Sequence, residues 1–169
     1  MSKIIIFVSI IFVITFKKEV DMSHQEKQSW VSIISSIVII AAYSLYIYYN
    51  QVEGNADILN NFKFWGKSFI ILIPVAIIAQ IIIHIIFAII NKIITNEDMP
   101  EFSDERDKLF ELKSTRITHW IFIVGFMLAM GSQAIGMQPS IMFIVLILSG
   151  FVSGITGELV KIMYYRRGF

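Results

Sequence analysis

Three ionisable residues lie inside long apolar stretches of the sequence, where a charge is costly and therefore marks a candidate functional site. His84 lies in one stretch, with Gln80 one helical turn before it, and Glu158 and Lys161 lie in another. An imidazole can change its charge near neutral pH, so these residues form a candidate site for handling protons or a solute.

Two further residues, Arg116 and His119, lie where a third apolar stretch begins and extend this candidate polar cluster. A structural role is equally consistent with the residue types, because Lys161 can reach the membrane surface, Glu158 can pair with it, and His84 can bond a neighbouring helix. A metal site is the weaker interpretation, since the sequence holds no short ligand spacing such as HExxH. We therefore expect no metal, no cofactor and no catalytic residue.

The composition sets the class of protein that positions these residues. Of the 169 residues 56% are hydrophobic and 16% are charged, and the mean hydropathy is +0.73. Soluble domains usually hold about 45–50% apolar and about 25% charged residues. The net charge of +1 gives no preference for an anionic partner such as a nucleic acid, and the absence of cysteine excludes disulfides and thiolate chemistry. These observations leave a polytopic membrane protein as the class indicated by the composition.

Four apolar stretches are each long enough to cross a bilayer. They cover residues 30–49, 68–90, 117–137 and 140–164. About 20 residues of helix cross the roughly 30 Å of hydrocarbon, and only helices satisfy all their backbone groups within one segment there. The sequence therefore predicts an all-α fold, an integral membrane bundle of four transmembrane helices.

The basic residues predict the orientation of this bundle. One side of the predicted bundle holds Lys27, Lys92, Arg106, Lys108, Lys113, Arg116, Lys161, Arg166 and Arg167. The opposite side holds only Lys63 and Lys67. Because positively charged connections stay in the cytoplasm, we expect a multi-pass protein of the inner (cytoplasmic) membrane with both termini inside.

Residues 1–21 do not fit a fifth span. The apolar stretch 4–16 is short for a crossing, and no small-residue cleavage site of a signal peptide follows it. The codons that Lys18-Glu19-Val20 permits include a bacterial ribosome-binding sequence shortly before Met22. We expect translation to start at Met22; a short anchor helix is the alternative. The order Ser23 to Glu26 then has the spacing of a capping box at the start of the first helix.

The only substantial polar connection lies between the second and third spans. Ser103 is predicted to cap a charged helix over residues 103–116 that continues into the third span. This helix is the candidate docking surface for a cytosolic partner, and the alternative is a solvated charged face. The candidate docking residues are Asp104, Glu105, Arg106, Asp107 and Lys108.

Small residues in the fourth span predict close helix packing. Gly150 and Gly154 have the GxxxG spacing of closely packed membrane helices, and Gly157 continues the stripe. Packing within the monomer is the favoured interpretation over dimerisation through this stripe.

Several short motifs resemble those of a family of small bacterial four-span membrane proteins. The matching residues are Met22-Ser23, Glu26-Lys27, His84, Arg106-Asp107, Lys161 and the C-terminal Tyr165 to Phe169. The resemblance covers residues 22–169. It implies the four-span topology and the start at Met22, and because the family carries no assigned activity it implies no catalytic residue.

Two functions from different classes follow. The first is a non-enzymatic regulatory or interaction subunit that uses the 103–116 helix. The second is a small proton- or solute-coupled transporter subunit that uses His84, Glu158 and Lys161, and this would need a homo-oligomer because four spans leave little room for a conduit. The expected partners are the lipid bilayer and a cytosolic or membrane protein, with no nucleic acid.

Overall fold

The structure, a computed structural model, describes residues 22–95 and 104–167, and this part of the chain contains helices and no strand. The predicted leader at residues 1–21 lies outside the described residues. Four long helices follow in chain order: α1 (His24–Ile47), α2 (Phe62–Thr95), α3 (Glu105–Ala134) and α4 (Pro139–Arg167). All are long and apolar enough to cross a membrane, so the predicted all-α architecture is confirmed.

The first helix begins at the predicted capping box, which is confirmed. The Ser23 hydroxyl accepts from the Glu26 backbone N–H at 3.2 Å, and the Glu26 carboxylate accepts from the Ser23 N–H at 2.9 Å. These bonds satisfy donors that a helix start leaves free. At its other end α1 widens into a π-helical turn, Tyr48–Val52. The chain then turns at Gly54, whose φ of 79° favours glycine, and forms a short 3-10 helix, Ala56–Asn60.

The third helix joins the charged segment and the third apolar stretch without a break. Its cap is Asp104, whose carboxylate accepts from the Glu105 N–H at 2.7 Å, and not the predicted Ser103, which lies outside the described residues. An aspartate next to the first turn also suits the positive end of the helix dipole. After α3 the chain turns at Gly136, with a φ of 77°, and α4 starts at Pro139, where the missing N–H costs no bond.

Helix α4 lies at the centre of the bundle. It packs against α1, α2 and α3, whereas α3 packs almost entirely on α4. The α3–α4 interface includes close contacts of small residues: the Ser114 hydroxyl donates to the Gly157 carbonyl at 2.7 Å, and Ala129 is fully buried. Small side chains let helix backbones approach closely where lipid offers no hydrophobic drive for association.

Consecutive helices run antiparallel, so four helix ends meet at each end of the bundle. At one end the His24 ring stacks on Phe87 with centroids 6.2 Å apart, and Glu26 contacts Arg166. This end, here named the basic end, holds the start of α1, the end of α2, the start of α3 and the end of α4. Among the described residues every Lys and Arg except Lys63 and Lys67 lies in the half of the bundle next to it.

Two clusters of buried apolar residues lie near opposite ends of the described bundle. The cluster near the basic end contains Val31, Ile83 and Phe87, and the other contains Trp65, Ala129, Met142 and Phe143. Most other large apolar side chains are exposed, and on α2 these include Ile70, Ile78, Ile85 and Ile93. A helix that is apolar all round and exposed in the monomer suits a lipid environment.

Candidate functional site

A row of side-chain hydrogen bonds joins α1 to α2 inside the apolar region. The Ser35 hydroxyl donates to the Gln80 carbonyl oxygen at 2.9 Å, and the Gln80 amide donates to the Ser36 hydroxyl at 2.7 Å. One turn nearer the basic end, the Ser32 hydroxyl and His84 Nε2 are 2.9 Å apart. Serines spaced three and four residues apart share one face of α1, which is why they reach one face of α2.

His84 also lies close to charged groups on α4. The Lys161 ammonium donates to the Glu158 carboxylate at 2.9 Å, and both charges lie within electrostatic range of the His84 ring. All three side chains are partly buried. Gln80 and His84 therefore share one row of hydrogen bonds with α1, and the Glu158–Lys161 pair of α4 lies within electrostatic range of His84.

The second ring nitrogen of His84 is accessible. Within residues 22–95 and 104–167, Nδ1 has no hydrogen-bond partner, and no buried side-chain polar atom there lacks one. Since Nδ1 has no hydrogen-bond partner and is not a buried unpaired atom, it is exposed at a surface or in a cavity. His84 lines a groove of about 400 Å³ together with Gln28, Gln80 and apolar residues of α2.

The structure does not bring Arg116 and His119 into this cluster. Helix α3 contacts α4 through a stripe that includes Ser114 and Thr118, and Thr118 bonds back to the Ser114 carbonyl at 3.0 Å. At 100° per residue, positions 116 and 119 fall on other faces of the helix. Both side chains are exposed, at the surface of the bundle and not between its helices.

A second polar group forms at the basic end from residues far apart in the sequence. The Arg166 guanidinium donates to the Glu26 carboxylate at 3.1 Å, and the Glu26 side chain is only 6% exposed. The Gln25 amide donates to the Asp107 carboxylate at 3.4 Å, and this carboxylate also lies beside the Tyr165 hydroxyl. These contacts join the start of α1 to the start of α3 and the end of α4.

The candidate docking residues divide into two groups. Asp104, Glu105, Arg106 and Lys108 are exposed, whereas Asp107 is partly buried by its contacts at the basic end. The Arg106 guanidinium lies over the Phe110 ring, 5.9 Å from its centroid. The charged start of α3 is therefore held against the bundle on the Asp107 side and is free on its opposite side.

The three glycines of α4 also have different surroundings. A Cβ on Gly157 would lie 2.5 Å from the Thr118 hydroxyl oxygen, so this glycine allows the close approach of α3. Gly154 has no atom within 4 Å of such a Cβ, and Gly150 has only the Phe122 ring edge at 4.0 Å. Gly150 and Gly154 line an apolar cleft of about 330 Å³ between the helices. The tightest approach on α3 falls at Gly125, which packs on Ser149.

Sequence reasoning missed the Glu26–Arg166 ion pair and the role of the α1 serines. The sequence signal for the serines was available, since Ser29, Ser32, Ser35 and Ser36 interrupt an apolar stretch at helical spacing. No local signal exists for the ion pair, because its partners are 140 residues apart.

The arrangement offers hydrogen bonding and charge, and in the described part of the chain no three His, Asp or Glu side chains gather as metal ligands. No family model matches the chain, and neither a curated protein nor a solved structure matches it. The resemblance to a bacterial four-span family thus stays a prediction.

Proposed function

We propose that the protein is a multi-pass protein of the bacterial cytoplasmic membrane with both termini in the cytoplasm, and that it acts without catalysis as a regulatory or interaction subunit. Four helices of sufficient length and apolarity support the membrane assignment. The concentration of Lys and Arg at the basic end supports its cytoplasmic orientation.

The proposed orientation can be tested with single cysteines, because the chain contains none. Asn55 lies in the exposed turn opposite the basic end, and Lys108 is exposed at the basic end. A membrane-impermeant maleimide added to intact spheroplasts should label Asn55→Cys at once and Lys108→Cys only after permeabilisation. The reverse pattern would overturn the orientation, and labelling of both without permeabilisation would overturn the membrane assignment.

The proposed docking surface is the outer face of the first three turns of α3, formed by Glu105, Leu109, Leu112 and Arg116. Leu109 is 55% exposed and Leu112 is 66% exposed, on the side of α3 opposite its contact with α4. The predicted third span begins at residue 117, so Leu112 and Leu109 precede it by about 8 and 12 Å along the helix. The exposure of these two leucines before the predicted span is the observation that carries the proposal, because an exposed apolar patch outside the hydrocarbon marks an interaction site.

The spacing of this face indicates the kind of partner. Residues 105, 109, 112 and 116 are separated by four, three and four residues, which is the spacing of a coiled-coil seam. An acidic residue stands at one end of the face and a basic residue at the other. We therefore propose that the partner, a cytosolic or membrane protein, presents an amphipathic helix with apolar residues at its centre and opposite charges at its ends.

A photocrosslinking amino acid at Leu112 tests this surface in native membranes. Met127 provides the matched control, since it is 65% exposed but lies within the span. We expect one protein adduct from position 112, lipid adducts from position 127, and loss of the protein adduct when Arg116 is changed to Glu. Restoration by a charge reversal in the partner helix would establish the pairing. Lipid adducts alone at position 112 would refute the docking role.

The second candidate function is a proton- or solute-coupled transporter subunit, favoured by the proximity of His84 to Glu158 and Lys161. The variants His84→Ala and Glu158→Gln separate the two functions. If they abolish the cellular phenotype while Arg116→Glu leaves it intact, transport is favoured. The opposite result favours docking.

A further inference from the structure

We propose that the groove beside His84 and the apolar cleft beyond Gln80 together hold one single-chain lipid, such as a fatty acid, with its polar head at the groove and its hydrocarbon chain in the cleft. This site is separate from the docking surface on α3, and neither proposal depends on the other.

The groove and the cleft lie in line along the same two helices. On α2 both are lined by Gln80, with His84 and Ala88 in the groove and Ile73 and Ile77 in the cleft. These positions are three or four residues apart and so occupy one face of the helix. On α1 the groove residue Gln28 lies eight residues before the cleft residue Ser36, and Ile40 follows four residues later, so the three share one side of the helix.

The dimensions suit a linear chain. Ala88 in the groove and Phe69 in the cleft are nineteen positions apart on α2, which corresponds to about 28 Å of helix. One acyl chain reaches about half of the roughly 30 Å hydrocarbon thickness, so a fatty acid fits within this length with its head at the groove. Volumes of about 400 Å³ and 330 Å³ lie in the range of ligand pockets, roughly 300–1,000 Å³, whereas well-packed interiors contain few voids larger than a water molecule.

The cleft is kept open by glycine. Gly154 has no atom within 4 Å of where its Cβ would lie, and Gly150 touches only the Phe122 ring edge. A side chain at either position would fill the space between α2 and α4. Apart from Ser36 and Gln80, which bond each other, the walls of this space are apolar, so a hydrocarbon chain fits it better than a polar ligand does.

The polar groups are concentrated at the groove, which is the part of the site nearer the basic end. Gln28 is exposed about one turn into α1, near the expected membrane surface, and His84, which contacts Ser32, lies about one turn deeper. A carboxyl or hydroxyl head can bond both groups while its chain continues past Gln80. Bulk phospholipid chains gain nothing from entering the cleft, so these hydrogen bonds are what selects the ligand.

The test uses the full chain reconstituted in phosphatidylcholine vesicles with a palmitic acid analogue that carries a diazirine near its chain end. We expect adducts on the cleft residues Ile73 and Phe122, and fewer on Ile71, which is 54% exposed on the outer side of α2. Excess palmitic acid should remove the cleft adducts, and excess phosphatidylcholine should not. Equal labelling of cleft and outer side without competition shows general lipid solvation only, and that overturns the proposal.

Two variants with controls complete the test. Gly154→Leu should abolish the cleft adducts, and Gly131→Leu should not, because both glycines have open space around their Cβ positions but only Gly154 lines the cleft. Gln28→Ala changes an exposed side chain and should weaken competition by palmitic acid without changing the helix content measured by circular dichroism. Unchanged competition in this variant places the head elsewhere and refutes the assigned orientation.

Discussion

Substitution of Gly125 by alanine should separate α3 from α4 and destabilise the bundle. A Cβ on Gly125 would overlap the Ser149 Cβ and lie 3.3 Å from the Ser149 Cα. Neither Ser149 atom can move away by a side-chain rotation, because Cα and Cβ are fixed by the backbone. Since carbon atoms pack at about 3.5–4.0 Å, the two helices must move apart by about 1 Å or more at this point.

The size of this effect can be measured against a matched glycine in the same helix. Gly131 also lies in α3, and a Cβ there would meet no atom within 4 Å. Alanine gains helix propensity at both positions, up to about 1 kcal/mol, so this term cancels in the comparison. The remaining overpacking cost should make Gly125→Ala about 1–3 kcal/mol less stable than Gly131→Ala.

The assay is unfolding of the purified protein in mild-detergent micelles by titration with sodium dodecyl sulfate, followed by tryptophan fluorescence. Gly125→Ala should unfold at a lower dodecyl sulfate fraction than wild type, and Gly131→Ala at the same or a higher fraction. Equal midpoints for the two variants would show that α3 and α4 do not approach as closely as the structure has them.

Three further predictions can be checked in the same assay. Tyr43→Phe should cost about 0.5–1.5 kcal/mol, because the Tyr43 hydroxyl donates to the Ser68 carbonyl at 2.6 Å, whereas Tyr46→Phe at an exposed position should cost nothing measurable. Glu26→Ala should cost about 2 kcal/mol, since it removes the ion pair and the carboxylate half of the capping box while the Ser23 cap remains; Arg166→Ala should cost no more than about 1 kcal/mol because that side chain is 58% exposed and solvent screens the pair. The double variant should then be no less stable than Glu26→Ala alone. Gly157→Ala should be milder than Gly125→Ala, since its closest neighbour is a hydroxyl that can rotate; a larger loss than for Gly125→Ala would contradict this ranking.

The sequence by itself determined the helical class, the number of long helices and the concentration of Lys and Arg on one side of the bundle. Each of these follows from local properties of the sequence: the length of each apolar stretch, the capping box at Ser23 and Glu26, and the position of Lys and Arg relative to the apolar stretches. The charged helix before the third apolar stretch was predictable for the same reason, and its cap lies at Asp104.

Only the tertiary structure decided which polar residues meet. Gln80, His84, Glu158 and Lys161 lie together because α1, α2 and α4 pack on one another, whereas Arg116 and His119 are exposed on α3. The 100° rotation per residue predicts which side chains share a face of a helix, but not which neighbouring helix that face contacts. In lipid every apolar face is equally well solvated. Close contacts between small residues, such as Gly125 with Ser149, determine which helices pack together, and these contacts exist only between folded helices.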